Sequence, residues 1–216
     1  MAFPVPQQGD RWEAVPMPPA QRHHAVTALA RAFWPDPLFG FFARTAVQEH
    51  RMLPVFFGPL VDDSVRHGQV WTAAAPDGQV AAVAAWLAPG AFPRGLVREA
   101  AIYRGAAAAL AQGRNRAVGL RLLAEVDRRH PERPHWYLAL LGSDPRWRGR
   151  GAAGAVLAPV LRRADADGLP AYLETQRREN LAFYARFGFD LHHEVRLPGA
   201  PPVWLLWREP EPEPAR

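Results

Sequence analysis

The feature that most constrains this chain is Arg148-Gly149-Arg150-Gly151-Ala152-Ala153-Gly154. This glycine-rich turn follows a strand-length apolar run, Trp136 to Leu141, and opens an amphipathic helix. First-turn N–H groups of a helix lack intrahelical acceptors, and that end carries about half a positive charge. Small residues let a phosphate approach those groups, and Arg148 and Arg150 add charge-assisted contacts. The expected unit is therefore β-α-β with an anion seat at its first turn.

The helix after the turn has its core residues at Val156, Leu157, Val160 and Leu161, with Pro159 expected to kink it. Gly168-Leu169-Pro170 stops it, Ala171 to Thr175 reads as a strand and Leu181 to Phe187 as a short helix. Phe189 to Val195 and Val203 to Trp207 close the chain as an antiparallel pair. Trp136 to Leu141, apolar throughout, is expected to be a strand buried on both faces.

Upstream, Arg11 to Val15 reads as a first strand, and Val26, Leu29, Ala30 and Phe33 mark one face of a helix ended by Pro35 and Pro37. A densely aromatic stretch from Leu38 to Phe42 leads into further helix reaching about His67. Gln69 to Ala75 and Gln79 to Leu87 flank Pro76-Asp77-Gly78, which predicts an antiparallel hairpin. Two Ala- and Arg-rich helices follow, the second with Val118, Leu122 and Val126 on one face. The order predicts an α/β domain over residues 11–208, a mixed sheet with helices on both faces. Residues 1–10 are expected to be loose and 209–216, rich in Glu and Pro, a disordered tail.

Other readings of the turn exist. Gly149, Gly151 and Gly154 fit the dinucleotide-binding pattern, and Glu174 sits where a ribose-binding acid would. That fold needs further βα units, yet only a short helix and two strands follow Glu174, and the loop from Gly142 to Trp147 is long for its tight turn. No Gly-Lys-Ser/Thr is present for a P-loop. A connector without a ligand is the bland alternative.

Arg148-x-x-Gly151-x-Ala153 resembles the pyrophosphate-binding signature of the GNAT acetyltransferases, and Asn180 to Phe189 resembles that family's Asn, Tyr and Gly-Phe segment. The stretch from about His135 to Arg208 is similar to puromycin N-acetyltransferases, including Tyr172-Leu173-Glu174-Thr175. The Ala32-Phe33 to Asp36-Pro37 segment is consistent with them, whereas residues 38–68 and 90–130 match no named pattern. Ser143 stands where the family usually has Val, and Ala153 where it often has Gly. The resemblance implies that the sheet is mostly antiparallel and that acetyl-CoA is the cofactor, held by Arg148, Gly149, Arg150, Gly151, Ala152 and Ala153. It also implies that backbone of Leu140, Leu141, Gly142 and Ser143 holds the pantetheine and oxyanion, and that a small-molecule amine is the acceptor, the alternatives being a protein amine or a non-catalytic acyl-CoA-binding module.

Amine acetylation needs a deprotonated amine, a stabilised oxyanion and a protonated leaving thiolate. Tyr184 is the expected acid, since a phenol with pKa near 10 stays protonated at neutral pH. Its spacing with Leu181 and Phe187 also fits a core position. Asn180, one turn earlier, either contacts the pantetheine arm by resemblance or caps the helix. Glu174 and His135 are the candidate bases, with water alone as the other option.

The chain has no cysteine, which removes disulfides, thiolate metal sites and a Cys nucleophile. Its net charge of +5 comes from arginines interleaved with 21 acidic residues, so no nucleic-acid partner is expected. His23-His24 and His192-His193 lack a third ligand at a recognisable spacing, so no metal is expected. The Phe33, Trp34, Phe39, Phe41, Phe42 cluster reads as core or as the wall of an apolar acceptor pocket. No signal peptide or membrane span is read, so a cytoplasmic protein is expected. A homodimer through the C-terminal strands is the expected assembly by resemblance.

Overall fold

The computed structural model describes residues 12–100, 102 and 114–211. The expected loose segment 1–10 and most of the expected tail lie outside the described residues. So does most of the first Ala- and Arg-rich helix, of which residues 96–100 are helical.

Seven strands form one sheet: β1 (Ala14–Pro16), β2 (Gly68–Ala74), β3 (Val80–Leu87), β4 (Trp136–Ser143), β5 (Ala171–Thr175), β6 (Asp190–Val195) and β7 (Val203–Arg208), in the order β1-β2-β3-β4-β5-β7-β6. Every neighbouring pair is antiparallel except β4 and β5. The helices are α1 (Arg22–Ala32), α2 (Pro37–Phe42), α3 (Ala46–His67), α4 (Arg116–Asp127), α5 (Ala152–Ala166) and α6 (Glu179–Ala185). This is the mixed, mostly antiparallel sheet that the sequence predicts.

Local chemistry sets the boundaries. The stretch from Leu38 to His67 divides into two helices because each part has its own cap. Asp36 accepts from the Leu38 and Phe39 amides with Pro37 following it, and Thr45 accepts from the Gln48 amide. Helix α5 continues through Pro159 to Ala166. The first strand is shorter and later than expected, with Ala14 to Pro16 pairing on β2.

β3 is buried along its whole length because both of its faces are covered. Val83 and Ala85 join the core under α1 and α3. Ala84 and Trp86 join the core under α5, with Val156, Leu157, Val160 and Leu161. Helix α4 packs Leu122 and Val126 against Tyr172, Val203 and Leu205. At the far end, the fully buried Arg208 grips Asp165 through two bonds of 2.6 and 2.9 Å and donates to the Phe187 carbonyl at 2.8 Å. This bidentate pair fixes β7 to α5 and to the turn after α6.

β4 corrects one expectation. Its apolar run is not buried on both faces: burial alternates, with Trp136, Leu138, Leu140 and Gly142 buried and the intervening residues half-buried. The pairing with β3 shifts so that Ala139 has no partner, which re-aims the residues after it. β4 and β5 pair only over Trp136–Leu138 and Ala171–Leu173. Beyond that point the two strands part, and the half-buried residues of β4 line a cavity, Tyr137 and Leu141 also packing against the core. Gly142 is required here, because a Cβ would lie 2.8 Å from Ala32 Cβ. Its absence lets α1 pack directly on the end of β4.

Candidate active site

The cavity where β4 and β5 part has a volume of about 490 Å³. One wall carries the expected cofactor residues. Leu140, Leu141, Gly142 and Ser143 contribute from β4, and Arg148, Asn180 and Tyr184 complete it. Ser143 Oγ is buried there without a hydrogen-bond partner. Gly149 to Ala153 lie past the cavity lining, at the start of α5. Gly149 and Gly151 have φ of +75° and +89°, a region that L side chains rarely adopt. Gly151 is the N-cap and brings no capping side chain, so the first-turn N–H groups of α5 are left for a ligand.

The two arginines of the turn are engaged with the protein. Arg148 Nη2 donates to the Ala32 carbonyl, and the Arg150 guanidinium lies 5.1 Å from the centre of the Trp147 ring. Trp12 Nε1 donates to the Arg150 carbonyl at 2.6 Å and packs edge-on against Trp147, holding the turn from outside. The loop before the turn is fixed by Asp144. Its carboxylate accepts from Arg146 and is held down at about 2, first by that hydrogen bond.

Asn180 is not the cap of α6; Arg178 occupies that position. Asn180 Nδ2 donates to Thr175 Oγ1 at 3.0 Å, one turn from Tyr184 and on the same cavity. Tyr184 is buried, which raises its phenol above the ordinary value and keeps it protonated.

The opposite wall is built from side chains. Glu174 faces the cavity and accepts from the Tyr172 hydroxyl at 3.0 Å and the Tyr137 hydroxyl at 3.3 Å. Burial raises both phenols above their ordinary value. His135, the other candidate base, is not brought to the cavity. It is buried, and burial lowers it to about 4. Its Nδ1 lies 2.6 Å from the Arg133 carbonyl and its Nε2 lies 3.0 Å from His130 Nε2.

Several residues of this wall escape a reading of the sequence. Asp63, on α3, binds Arg94 at 2.8 Å and Arg98 at 3.0 Å. These pairs hold the segment after β3 so that Phe92 lies on His130 with ring centres 3.8 Å apart. Arg177 lies 3.7 Å from buried Asp36 and donates to the Pro35 carbonyl, joining the β5–α6 turn to the α1–α2 loop. Burial raises the Asp36 carboxyl. Of the aromatic cluster, Phe33 and Phe39 line the cavity with Phe56 and Phe57, whereas Trp34 is 43% exposed and Phe42 packs with Met52. Among the described residues, no three His, Asp or Glu are grouped to hold a metal ion. Nor is any helix there long and apolar enough to cross a membrane.

The model of the acetyltransferase (GNAT) family matches residues 26–189. The chain belongs to that family. An uncharacterised N-acetyltransferase of Schizosaccharomyces pombe is 32% identical over 81 residues, which are 36% of this chain and 33% of that protein. The match thus spans about a third of that curated relative. Among solved structures, a Corynebacterium glutamicum protein described as histone acetyltransferase HPA2 and related acetyltransferase superposes with a TM-score of 0.69 and 22% identity, over 94% of this chain and 99% of that one. Arylalkylamine N-acetyltransferase 2 from Aedes aegypti gives 0.62 and 15%, over 94% of this chain and 100% of that one. At these identities the GNAT neighbours show a shared fold.

Proposed function

We propose that this GNAT protein is an acetyl-CoA-dependent N-acetyltransferase acting on a primary amine of a small molecule with an apolar body. The observation that carries the reading is the cavity at the parting of β4 and β5. It joins a wall of strand backbone, next to an uncapped helix start, to a wall with a carboxylate set among aromatic rings.

The residues fit the cofactor on two counts: the orphaned Ser143 Oγ and the anion seat that Gly149 and Gly151 shape. The turn from Arg148 to Ala153 holds the pyrophosphate, and Leu140 to Ser143 with Asn180 hold the pantetheine arm. Acetyl-CoA, when bound, supplies an acetyl group activated as a thioester. Backbone N–H groups at the end of β4 would stabilise negative charge on the acyl oxygen. Tyr184 Oη holds the proton destined for the leaving sulfur, and burial keeps it there until it is needed. Glu174 receives the acceptor's ammonium, while Phe33, Phe56 and Phe57 exclude water around its body.

An aromatic body suits this wall, as in the substrates for which the Aedes aegypti neighbour is named. The likeness of His135 to Arg208 to puromycin N-acetyltransferases adds drug-like amines to the candidates. Free-thiol release from acetyl-CoA, measured with a panel of arylalkylamines, polyamines and puromycin, tests the proposal. Amine-dependent release is the expected result. Coenzyme A binding without release on any amine points to a cofactor-sensing module instead. The expected homodimer would use β6, one of the two edge strands of the sheet among the described residues, and sedimentation of the purified protein reads it.

A further inference from the structure

We propose that His130 is the proton acceptor behind Glu174 and that His135 fixes its tautomer, a relay that rests on the N-acetyltransferase reading above.

The argument is one of donors and acceptors. His135 Nδ1 lies 2.6 Å from the Arg133 carbonyl, which only accepts, so Nδ1 carries the hydrogen. The neutral ring then offers a lone pair at Nε2. His130 Nε2, 3.0 Å away, must donate to it. Neutral His130 therefore has its lone pair on Nδ1. That atom is buried, has no hydrogen-bond partner and lies 3.8 Å from Glu174 Oε1. A lone pair facing a carboxylate is reconciled by one added proton. The Tyr172 hydroxyl on Oε1 and the Tyr137 hydroxyl on Oε2 both favour the ionised carboxylate. The added proton consequently rests on His130 Nδ1, and the pair becomes imidazolium and carboxylate.

The surroundings are defined. Tyr172 and Glu174 face His130 from β5, Tyr137 from β4, His135 from the residue just before β4, and Phe92 from the segment after β3. Asp127, on α4, interacts electrostatically with Glu174, His130 and Arg94. The step is a proton transfer. An N–H bond of the acceptor's ammonium breaks, its electrons stay on nitrogen as the lone pair, and the proton passes by way of Glu174 to His130 Nδ1. His130 acts through Glu174 and is a positioning residue, not a cavity group.

Two measurements test this. Nitrogen-15 NMR of the histidine-labelled protein at about pH 8.5, where an ordinary imidazole is neutral, reads the tautomers without any turnover. Nε2–H on His130 and Nδ1–H on His135 are expected; the reverse on either ring overturns the relay. The second compares His130→Gln with wild type on two acceptors, an aliphatic amine that is an ammonium ion at pH 7 and an amine already neutral there. For the ammonium acceptor kcat/KM falls about tenfold or more, the low end of general-base effects, and recovers as pH rises past the amine's own pKa. For the neutral amine it changes less than about twofold, because no proton needs removing first. Equal losses on both acceptors would mean a packing role only, and overturn the proposal. His130→Asn serves where the Gln variant does not fold, and the NMR result decides if neither does. Absence of thiol release from wild type with every amine overturns the relay and the N-acetyltransferase reading together. Failure of the relay alone leaves that release intact.

Discussion

The two walls of the cavity are made of different material. The wall proposed to hold the cofactor is mainly backbone: the end of β4, two glycines with positive φ and a helix start with no side-chain cap. The wall proposed to receive the acceptor is mainly side chains, with Glu174 held by two phenols and Phe92 held in place through Asp63. Backbone donors have no titration and no rotamers, so the first wall answers to conformation. Side chains titrate and can be truncated, so the second answers to pH and to substitution. The contrast makes specific demands on variants of each wall.

The largest effect expected is on the acceptor side, in acid. Burial lowers His135 from 6.5 to about 4. Between those pH values the unfolded chain takes up a proton that the folded chain refuses. The contribution to stability is complete above pH 6.5 and is lost as pH falls through 4, about 3 kcal/mol in all. Urea melts from pH 7 to 4 should show this slope, and His135→Gln should flatten it. An unchanged slope in the variant would mean that the acceptor wall owes its acid sensitivity to other groups.

Next is Tyr184→Phe, which removes the proton and leaves the ring. Turnover should fall about 100-fold, equivalent to about 2.7 kcal/mol, with acetyl-CoA affinity within about twofold of wild type. Single-turnover kinetics alongside equilibrium binding separate the two. A fall in affinity as large as the fall in turnover would make Tyr184 part of the binding wall and erase its distinct role.

The same division governs what can be read from the sequence. β5 runs from Ala171 to Thr175 as its composition predicts, and the turn from Arg148 to Gly154 opens α5 where the glycines place it. Both are local signals, carried by adjacent residues. On the acceptor wall only Glu174 carries such a signal. Phe92, the Asp127–His130 helix end and Glu174 come from three separate places in the chain, and only folding brings them together. His130 lies just past the end of α4, outside any periodic pattern, and its partner His135 is separated from it by Pro131 and Pro134. The exposure of β4 was illegible for a related reason. A strand face that lines an apolar cavity carries the same residues as one that packs in a core, so apolar composition cannot distinguish them. The parting of β4 and β5 is set by the unpaired Ala139 and by the short parallel register, which are properties of pairing and not of either segment alone.

A conformational test of the cofactor wall is Gly151→Ala. An added Cβ would meet nothing closer than Trp12 Cδ1 at 3.8 Å, so there is room for it. The cost is in the backbone, where φ of +89° costs an L residue about 1–2 kcal/mol. The chain relieves that strain by turning the first N–H groups of α5 away, so coenzyme A affinity should fall about tenfold, as isothermal titration would read. Retained affinity would show that the seat does not depend on this φ.

The smallest effect, and the sharpest on the comparison, is expected from Arg150→Ala. This side chain is the most conspicuous charge in the turn, and it lies over Trp147. If the wall works through backbone N–H groups, the guanidinium adds only a solvent-screened attraction for phosphate, worth less than about 1 kcal/mol. Coenzyme A affinity should then weaken no more than about fivefold, and the difference from wild type should shrink as salt rises toward about 1 M. A loss near 100-fold that persists in high salt would place the anion on the arginine and not on the backbone. Both walls of the cavity would then depend on side chains, and the distinction between them would end there.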